Sequence, residues 1–187
     1  MDMIKVGPAG EAAQYATRWD EKGRDEVAQI FVSYTYDTVY SLQFLFYEND
    51  KLVMSNKHGN NKCEVFCAVT FDYPTEFLTS ISGSFRKSHG STILNSISFG
   101  TNKGSYGPFG TPSDNANKFT FQIGNYPSFG GFYGSKSSCG IDSLGIYMKP
   151  IKISMIHFKD PMEKDKKEGA QEKQGKLKLR TPLTNSE

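Results

Sequence analysis

Hydrophobic and polar residues alternate in short stretches along most of the chain, and a period of two residues predicts β-strands. The predicted strands cover residues 27–32, 39–46, 51–54, 64–71, 77–82, 93–99, 118–123, 130–133 and 140–148. Clusters of turn-forming residues separate them at 48–50, 56–61, 101–117 and 134–139. Closely spaced strands with polar turns are typical of a sandwich, barrel or prism, and no alternation of strands with helices indicates a doubly wound sheet.

Three of the predicted strands repeat one short motif, at Tyr40–Phe44, Asn95–Phe99 and Asp142–Ile146. In each, a serine is followed by Leu or Ile, one further residue, and Phe or Ile. The serines lie at positions 41, 96 and 143, so their spacing is nearly constant. This spacing predicts three similar units in which the strands 27–54, 64–99 and 118–148 are grouped. Chance is the alternative, since so short a motif is common in strands.

Charge and aromatic residues divide the chain into a body and a tail. All 14 Phe and 10 Tyr of the 187 residues lie at or before Phe158, whereas the segment after it carries the formal net charge of +2. A segment with so few apolar residues cannot offset its ordering entropy by burial. We therefore predict a globular domain over residues 1–152 and a charged, disordered tail over 153–187. The neutral body gives no indication of nucleic-acid binding.

The location of the protein is predicted from missing signals. The N-terminal residues lack the apolar stretch of a secretory signal, and no run is long and apolar enough to cross a membrane. We expect a cytoplasmic or nucleocytoplasmic protein with no membrane partner. Cys63 and Cys67 lie in a strand-like stretch too far apart for easy bridging, and no histidine completes a ligand pattern. Reduced thiols and no bound metal are expected.

No arrangement of residues typical of an enzyme is found, so neither catalytic residues nor cofactors are predicted. His58 and His89 each adjoin a glycine in a polar loop without a carboxylate at motif spacing. The segment Gly107–Gly110 is interpreted as a turn. Asp72 and Glu76 could be imagined as a glycosidase pair, but exposed charges around an X-Pro turn are the preferred interpretation.

Four further segments, in order along the chain, carry a family resemblance. They are Val6–Gly10 with Trp19-Asp20, Tyr73–Phe77 with Ile81–Gly83, Phe99–Thr111, and Gly130–Gly134 with Ile141–Tyr147. Together they cover roughly residues 4–151 and resemble jacalin-related lectins. The resemblance implies an all-β fold, a β-prism I of three four-stranded Greek-key sheets with pseudo-threefold symmetry. It also implies a plant, nucleocytoplasmic lectin of the mannose type with a role in defence.

The sugar site that the resemblance implies is a Gly-Asp-x-x-Asp loop joined by a glycine of the N-terminal loop. The matching residues here are Ser138, Cys139, Gly140 and Asp142 in the loop, Ala13 in the N-terminal loop, and Lys87 and His89 in a flanking loop as replacement donors. Only the final aspartate is kept, and Ala13 places a Cβ where the family has none. From the residues alone, Asp142 is equally well explained as the cap of a hairpin.

Two hypotheses of different class follow. In the first, the protein is a carbohydrate-binding lectin for mannose-type glycans, weakened by its altered loop. In the second, the jacalin fold has lost sugar binding and acts through self-association or protein partners. The preserved Asp142 motivates the first hypothesis, and the replaced Gly-Asp pair at Ser138 and Cys139 motivates the second.

Overall fold

The computed structural model describes residues 2–150, and every regular element among them is a β-strand. The predicted tail, 153–187, lies outside the described residues. Within residues 2–150 there is no helix that could cross a membrane. The strands are β1 Ile4–Gly10, β2 Thr17–Asp20, β3 Glu26–Tyr34, β4 Val39–Glu48, β5 Lys51–Met54, β6 His58–Gly59, β7 Val65–Thr70, β8 Leu78–Ser88, β9 Ser91–Thr101, β10 Ser105–Gly110, β11 Asn117–Gln122, β12 Phe129–Ser137 and β13 Gly140–Met148.

The strands form three antiparallel sheets around one core. Sheet A has the order β1-β13-β12-β2, sheet B the order β5-β4-β3-β7 with β6 added on β4, and sheet C the order β10-β9-β8-β11. Alternate residues of the central strands point inward, and fully buried side chains from all three sheets meet, among them Phe44, Phe99 and Phe132. Phe44 and Phe132 stack with ring centroids 4.0 Å apart across sheets B and A. The predicted β-prism of three sheets is confirmed.

The repeated serine motif marks equivalent places in the three sheets. Each motif serine lies opposite a second serine in the central antiparallel pair of its sheet. These pairs are Ser33–Ser41 in sheet B, Ser84–Ser96 in sheet C and Ser135–Ser143 in sheet A. In sheets A and C the two hydroxyls are hydrogen-bonded at 2.6 Å, whereas Ser33 Oγ of sheet B donates to the carbonyl of Lys62. Residues of different sheets can therefore be compared by counting positions from these serine pairs.

The strands are grouped differently from the sequence prediction. Strand β7, predicted with the second unit, pairs with β3 in sheet B, and β11, predicted with the third, pairs with β8 in sheet C. Sheet A is completed instead by β1 and β2 from the start of the chain. Periodicity identifies a strand but not its partner, so the edge strands were assigned wrongly.

Two predicted turns are also strands. The segment Gly107–Gly110 belongs to β10, where the pairing with β9 shifts register between Tyr106 and Phe109 and so accommodates Pro108. Residues 134–137 belong to β12, which continues as far as Ser137. Glycine and proline favour turns, but in both cases the irregular residues are absorbed within a paired strand.

Candidate functional site

Three loops meet at one end of the prism, as the predicted site requires. They are the loop 11–16 between β1 and β2, the turn His89–Gly90 between β8 and β9, and the turn Ser138–Cys139 between β12 and β13. Thr92, at the start of β9, joins them: its Oγ1 accepts a hydrogen bond from the nitrogen of Glu11 at 2.6 Å and donates to the carbonyl of Asp142 at 2.8 Å.

The carboxylate of Asp142 lies at the centre of this cluster but is closed off from solvent, with 0% of the residue exposed. Its Oδ1 accepts a hydrogen bond from Ser137 Oγ at 2.7 Å, and its Oδ2 accepts one from the backbone nitrogen of Ala13 at 3.4 Å. Both oxygens are therefore engaged by the protein itself. A buried carboxylate needs such donors, and here they come from the two loops that would otherwise receive a sugar.

The backbone N–H of Cys139 is also used within the turn. It donates to Ser137 Oγ at 3.3 Å, and that same hydroxyl donates to Asp142. The hydroxyl of Ser137 thus connects the two groups that the family resemblance assigns to the sugar. The Cys139 side chain itself is exposed.

The remaining residues of the turn are fixed by sheet B. The carbonyl of Ser138 accepts a hydrogen bond from Asn60 Nδ2 at 2.9 Å, while the residue itself is exposed. Gly140 is buried with φ +141°, and a Cβ there would lie 3.0 Å from the carbonyl of Val39. Gly140 therefore serves the close approach of two sheets, which a larger residue would prevent.

Lys87 and His89 are placed at the edge of the cluster with exposed side chains. His89 adopts φ 46°, and its Nδ1 lies 3.4 Å from Ser88 Oγ. In the described part of the chain, no hydrogen bond joins either side chain to Asp142. Their hairpin approaches the site through Thr92, and their role as donors to a ligand stays a prediction.

A second group of polar residues was missed by the sequence interpretation. His58 was placed in a polar loop, but the structure buries it in β6, where only 4% of it is exposed. Its Nε2 lies 2.8 Å from Glu21 Oε1, and its ring stacks on Trp19 with centroids 4.1 Å apart. Burial lowers the pKa of His58 below its usual value and outweighs the opposing effect of Glu21. The prediction failed because the partner carboxylate lies far away in sequence.

Arg24 completes this group and forms ion pairs with two carboxylates. Its guanidinium donates to Glu21 Oε2 at 2.6 Å and to Glu48 Oε1 at 3.0 Å, and it lies 5.2 Å above the ring of Phe46. The charge of Glu21 is therefore paired on one side by Arg24 and bonded on the other by His58. Such pairing of charges is typical of a structural network.

The paired carboxylates Asp72 and Glu76 differ from the prediction that both are exposed. Glu76 is buried, with 5% exposed, and accepts hydrogen bonds from Thr101 Oγ1 at 2.7 Å and Tyr106 OH at 2.9 Å. Burial alone would raise the pKa of Glu76, but these bonds and one from the nitrogen of Asp72 lower it. Asp72 pairs with Lys103 on the surface. Both acids therefore hold their local loops together.

Potential metal ligands are scattered. Within residues 2–150, no three side chains of His, Cys, Asp and Glu are grouped as they would be around an ion. Cys63, Cys67 and Cys139 are free thiols; Cys63 lies just before β7 and is exposed, and Cys67 is half-buried within the strand.

Comparison with known proteins gives this geometry a context. Residues 6–147 match the Jacalin-like lectin domain. The chain is 36% identical to Protein RESTRICTED TEV MOVEMENT 1 of Arabidopsis thaliana, with 80% of this chain and 89% of that protein covered. It is 34% identical to Jacalin-related lectin 2 of the same species, with 80% and 88% covered. Among solved structures, a mannose-specific jacalin-related lectin from Morus nigra in complex with mannose matches with a TM-score of 0.72 and 25% identity, covering 80% of this chain and 96% of that one. The chain therefore belongs to the jacalin-like lectin family.

Proposed function

We propose that this protein is an interaction module built on the jacalin fold, in which the loop that binds sugar in the family is closed by internal hydrogen bonds. The burial of Asp142 carries the proposal. Its carboxylate is inaccessible, and both oxygens are already bonded, to Ser137 and to Ala13. A sugar hydroxyl could reach this carboxylate only if the surrounding residues moved apart, because no part of Asp142 is exposed.

The energies favour the closed loop. Hydrogen bonds to charged groups contribute about 1.5–3 kcal/mol each. A millimolar monosaccharide complex corresponds to about 4 kcal/mol of binding free energy in total. Displacing the short hydrogen bond from Ser137 would therefore cost a large part of what a typical weak lectin site gains.

The names of the similar proteins do not all refer to sugar binding. The name of Protein RESTRICTED TEV MOVEMENT 1 refers to restricted movement and to no sugar, and that protein is covered over 89% of its length. We propose protein partners or self-association, in a defence role, as the activity of this chain. A cytoplasmic or nucleocytoplasmic location fits the exposed free thiols of Cys63 and Cys139, which persist in reducing compartments.

A second candidate function, binding of mannose-type glycans, rests on the arrangement of the loops. The three loops converge around Asp142 as the family resemblance predicts, and Ser138, Cys139, Lys87 and His89 remain exposed around it. The similar Morus nigra lectin is described as mannose-specific. An extended glycan could contact this rim without reaching the buried carboxylate.

A glycan array distinguishes the two candidates. The wild-type chain is compared with Asp142→Ala, which removes the central carboxylate, and with Lys87→Ala, which leaves the buried network intact. The proposed module gives no glycan signal that depends on either residue. A mannose-type signal that disappears in Asp142→Ala, while thermal unfolding and the amide spectrum show that the variant keeps the wild-type fold, would establish the lectin and overturn the closed loop. A signal lost only in Lys87→Ala would support rim binding.

A further inference from the structure

The outer face of sheet B carries large apolar side chains that no other part of residues 2–150 covers. Phe66 is 60% exposed and Leu52 is 55% exposed, and Met54 is exposed as well. We call this group the apolar band; its members are Phe31, Leu45, Leu52, Met54, Phe66 and Ala68.

The strand register forms the band from two groups that meet on a diagonal, because Phe31 lies opposite Gln43 and Leu45 opposite Gln29. On one side Leu45 of β4 lies opposite Met54 of β5, and on the other side Phe31 of β3 lies opposite Ala68 of β7. The rings of Phe31 and Phe66 stack with centroids 5.9 Å apart. The band therefore runs diagonally across all four main strands of the sheet.

Sheet C shows that the fold does not require an apolar band at these positions. Counted from the serine pairs, Phe31 of sheet B corresponds to Ser82 of sheet C, and Leu45 corresponds to Gly100. Both equivalents in sheet C are small, and the outer face there is lined by hydroxyls. In sheet A the equivalent residues are Tyr133 and Tyr147, which are large but buried. Sheet B differs from both, because its face carries large apolar side chains that stay uncovered.

Phe66 gives the clearest contrast. In each sheet, one residue of an edge strand lies opposite the serine that comes first in sequence in the serine pair. That residue is Phe66 opposite Ser33 in sheet B, Lys118 opposite Ser84 in sheet C and Arg18 opposite Ser135 in sheet A. Two sheets thus present a cation where the third presents an exposed phenyl ring. An exposed apolar patch of this kind marks a surface that is covered in the working state.

We propose that a second copy of this chain covers the apolar band, with the two bands packed against each other about a twofold axis. Since large apolar side chains carry about 150–250 Å² each, the band exposes on the order of 500 Å² per copy. A symmetric pair then buries on the order of 1,000 Å², which reaches the lower limit of a specific interface. A reversible, concentration-dependent dimer is the expected state.

The charges around the band suit a copy of itself. One corner is flanked by Asp50 and Lys51, and the opposite corner by Lys62 and Glu64, all exposed. Each corner therefore carries both signs, so a twofold-related copy meets no block of like charge. A strongly basic or acidic partner would find no complementary field here. The dimer names a partner for the proposed interaction module and in that respect rests on it.

Sedimentation velocity of the full chain over a range of concentrations tests the dimer. The test variant is Phe66→Lys, which installs the type of residue found at the equivalent positions 118 and 18. A second variant, Leu52→Glu, alters the opposite end of the band. The matched control is Tyr36→Lys, which places the same charge on a residue that is 78% exposed but lies in the β3–β4 turn.

We expect a wild-type dimer whose dissociation constant rises at least tenfold in both band variants and stays unchanged in the control. Thermal unfolding of the variants checks that each remains folded. A wild-type chain that stays monomeric at its highest soluble concentration overturns the proposal, even if it then captures another protein. A dimer that is equally strong in Phe66→Lys and Leu52→Glu also overturns it. The glycan array concerns Asp142 and Lys87, which lie outside the apolar band, so its outcome is independent of this one.

Discussion

The backbone nitrogen of Ala13 lies 3.4 Å from Oδ2 of Asp142, although 129 positions separate the two residues in the chain. This hydrogen bond ties the loop between β1 and β2 to the last strand of sheet A. Ser137 completes the shell of the carboxylate from the other side. The family resemblance implies that Asp142 binds a sugar. Here Asp142 instead holds the site together through its hydrogen bonds to Ala13 and Ser137.

If that assignment is right, Asp142→Asn reduces stability rather than a binding activity. An amide keeps the shape but loses one charged acceptor, so we expect the free energy of unfolding to fall by about 1–3 kcal/mol. Urea denaturation measures this change. Asp114→Asn, at an exposed turn, is the matched control and should alter stability by less than about 0.5 kcal/mol. Equal stability of wild type and Asp142→Asn would show that the carboxylate is not a structural anchor.

Opening the loop should create the sugar site. In Ser137→Ala combined with Cys139→Asp, the hydroxyl that occupies both Asp142 Oδ1 and the Cys139 nitrogen is removed, and a second carboxylate is supplied. We expect mannose to bind this double variant with a dissociation constant of about 1 mM, measured by calorimetry or by amide shifts. The single variant Lys87→Ala serves as control and should not gain binding. If the double variant stays inactive, Ser137 is not what closes the loop.

Stability should depend on pH through His58. Because burial lowers the pKa of this imidazole in the folded state, the unfolded chain binds its proton more readily. The stabilisation is therefore present above pH 6.5 and is lost progressively as the pH falls below that value. We expect urea midpoints measured between pH 7.5 and 5 to decline, and His58→Phe to flatten the decline. The exposed His89→Gln should leave it unchanged, and an unchanged slope in His58→Phe would exclude His58 as its source.

Glu76 should contribute a second pH dependence, at lower pH. Its hydrogen bonds from Thr101 and Tyr106 favour the ionised form and lower its pKa below 4.5. The contribution is thus complete above pH 4.5 and is lost as the pH falls through the lower, folded-state value. Thr101→Val removes one donor and should cost about 1–3 kcal/mol at pH 7, with a smaller cost at pH 3. The conservative control Thr120→Val, on the outer face of sheet C, should show no such difference between the two pH values.

Much of the fold follows from local patterns, and the limits of those patterns are equally clear. Alternation identifies β4, β9 and β13, because apolar inward residues recur at every second position. The serines at 41, 96 and 143 correctly mark three equivalent units, since each occupies the same place in its sheet. The prediction places the edge strands β7 and β11 in the wrong unit. The strand with which an edge strand pairs depends on how the three sheets come together around the core, and the local pattern does not contain this information.

For the site, too, the sequence identifies a residue but not its surroundings. Asp142 and the loop around it could be selected from the sequence through the family resemblance. That its carboxylate is buried could not, since this depends on Ser137 and on Ala13 from a distant loop. The pairing of His58 with Glu21 was missed for the same reason, because neither residue has a neighbour in sequence that signals the other.

Titration of the isotopically labelled chain with methyl α-mannoside, followed by amide chemical shifts, tests the closed loop most directly. The amides of Ala13, Cys139 and Asp142 report on the network itself, and the amide of Thr120 on the outer face of sheet C provides a reference within the same sample. The account predicts that none of the three moves with sugar concentration. Saturable shifts at these amides, with Thr120 unchanged, would contradict it and identify the site as an open lectin site.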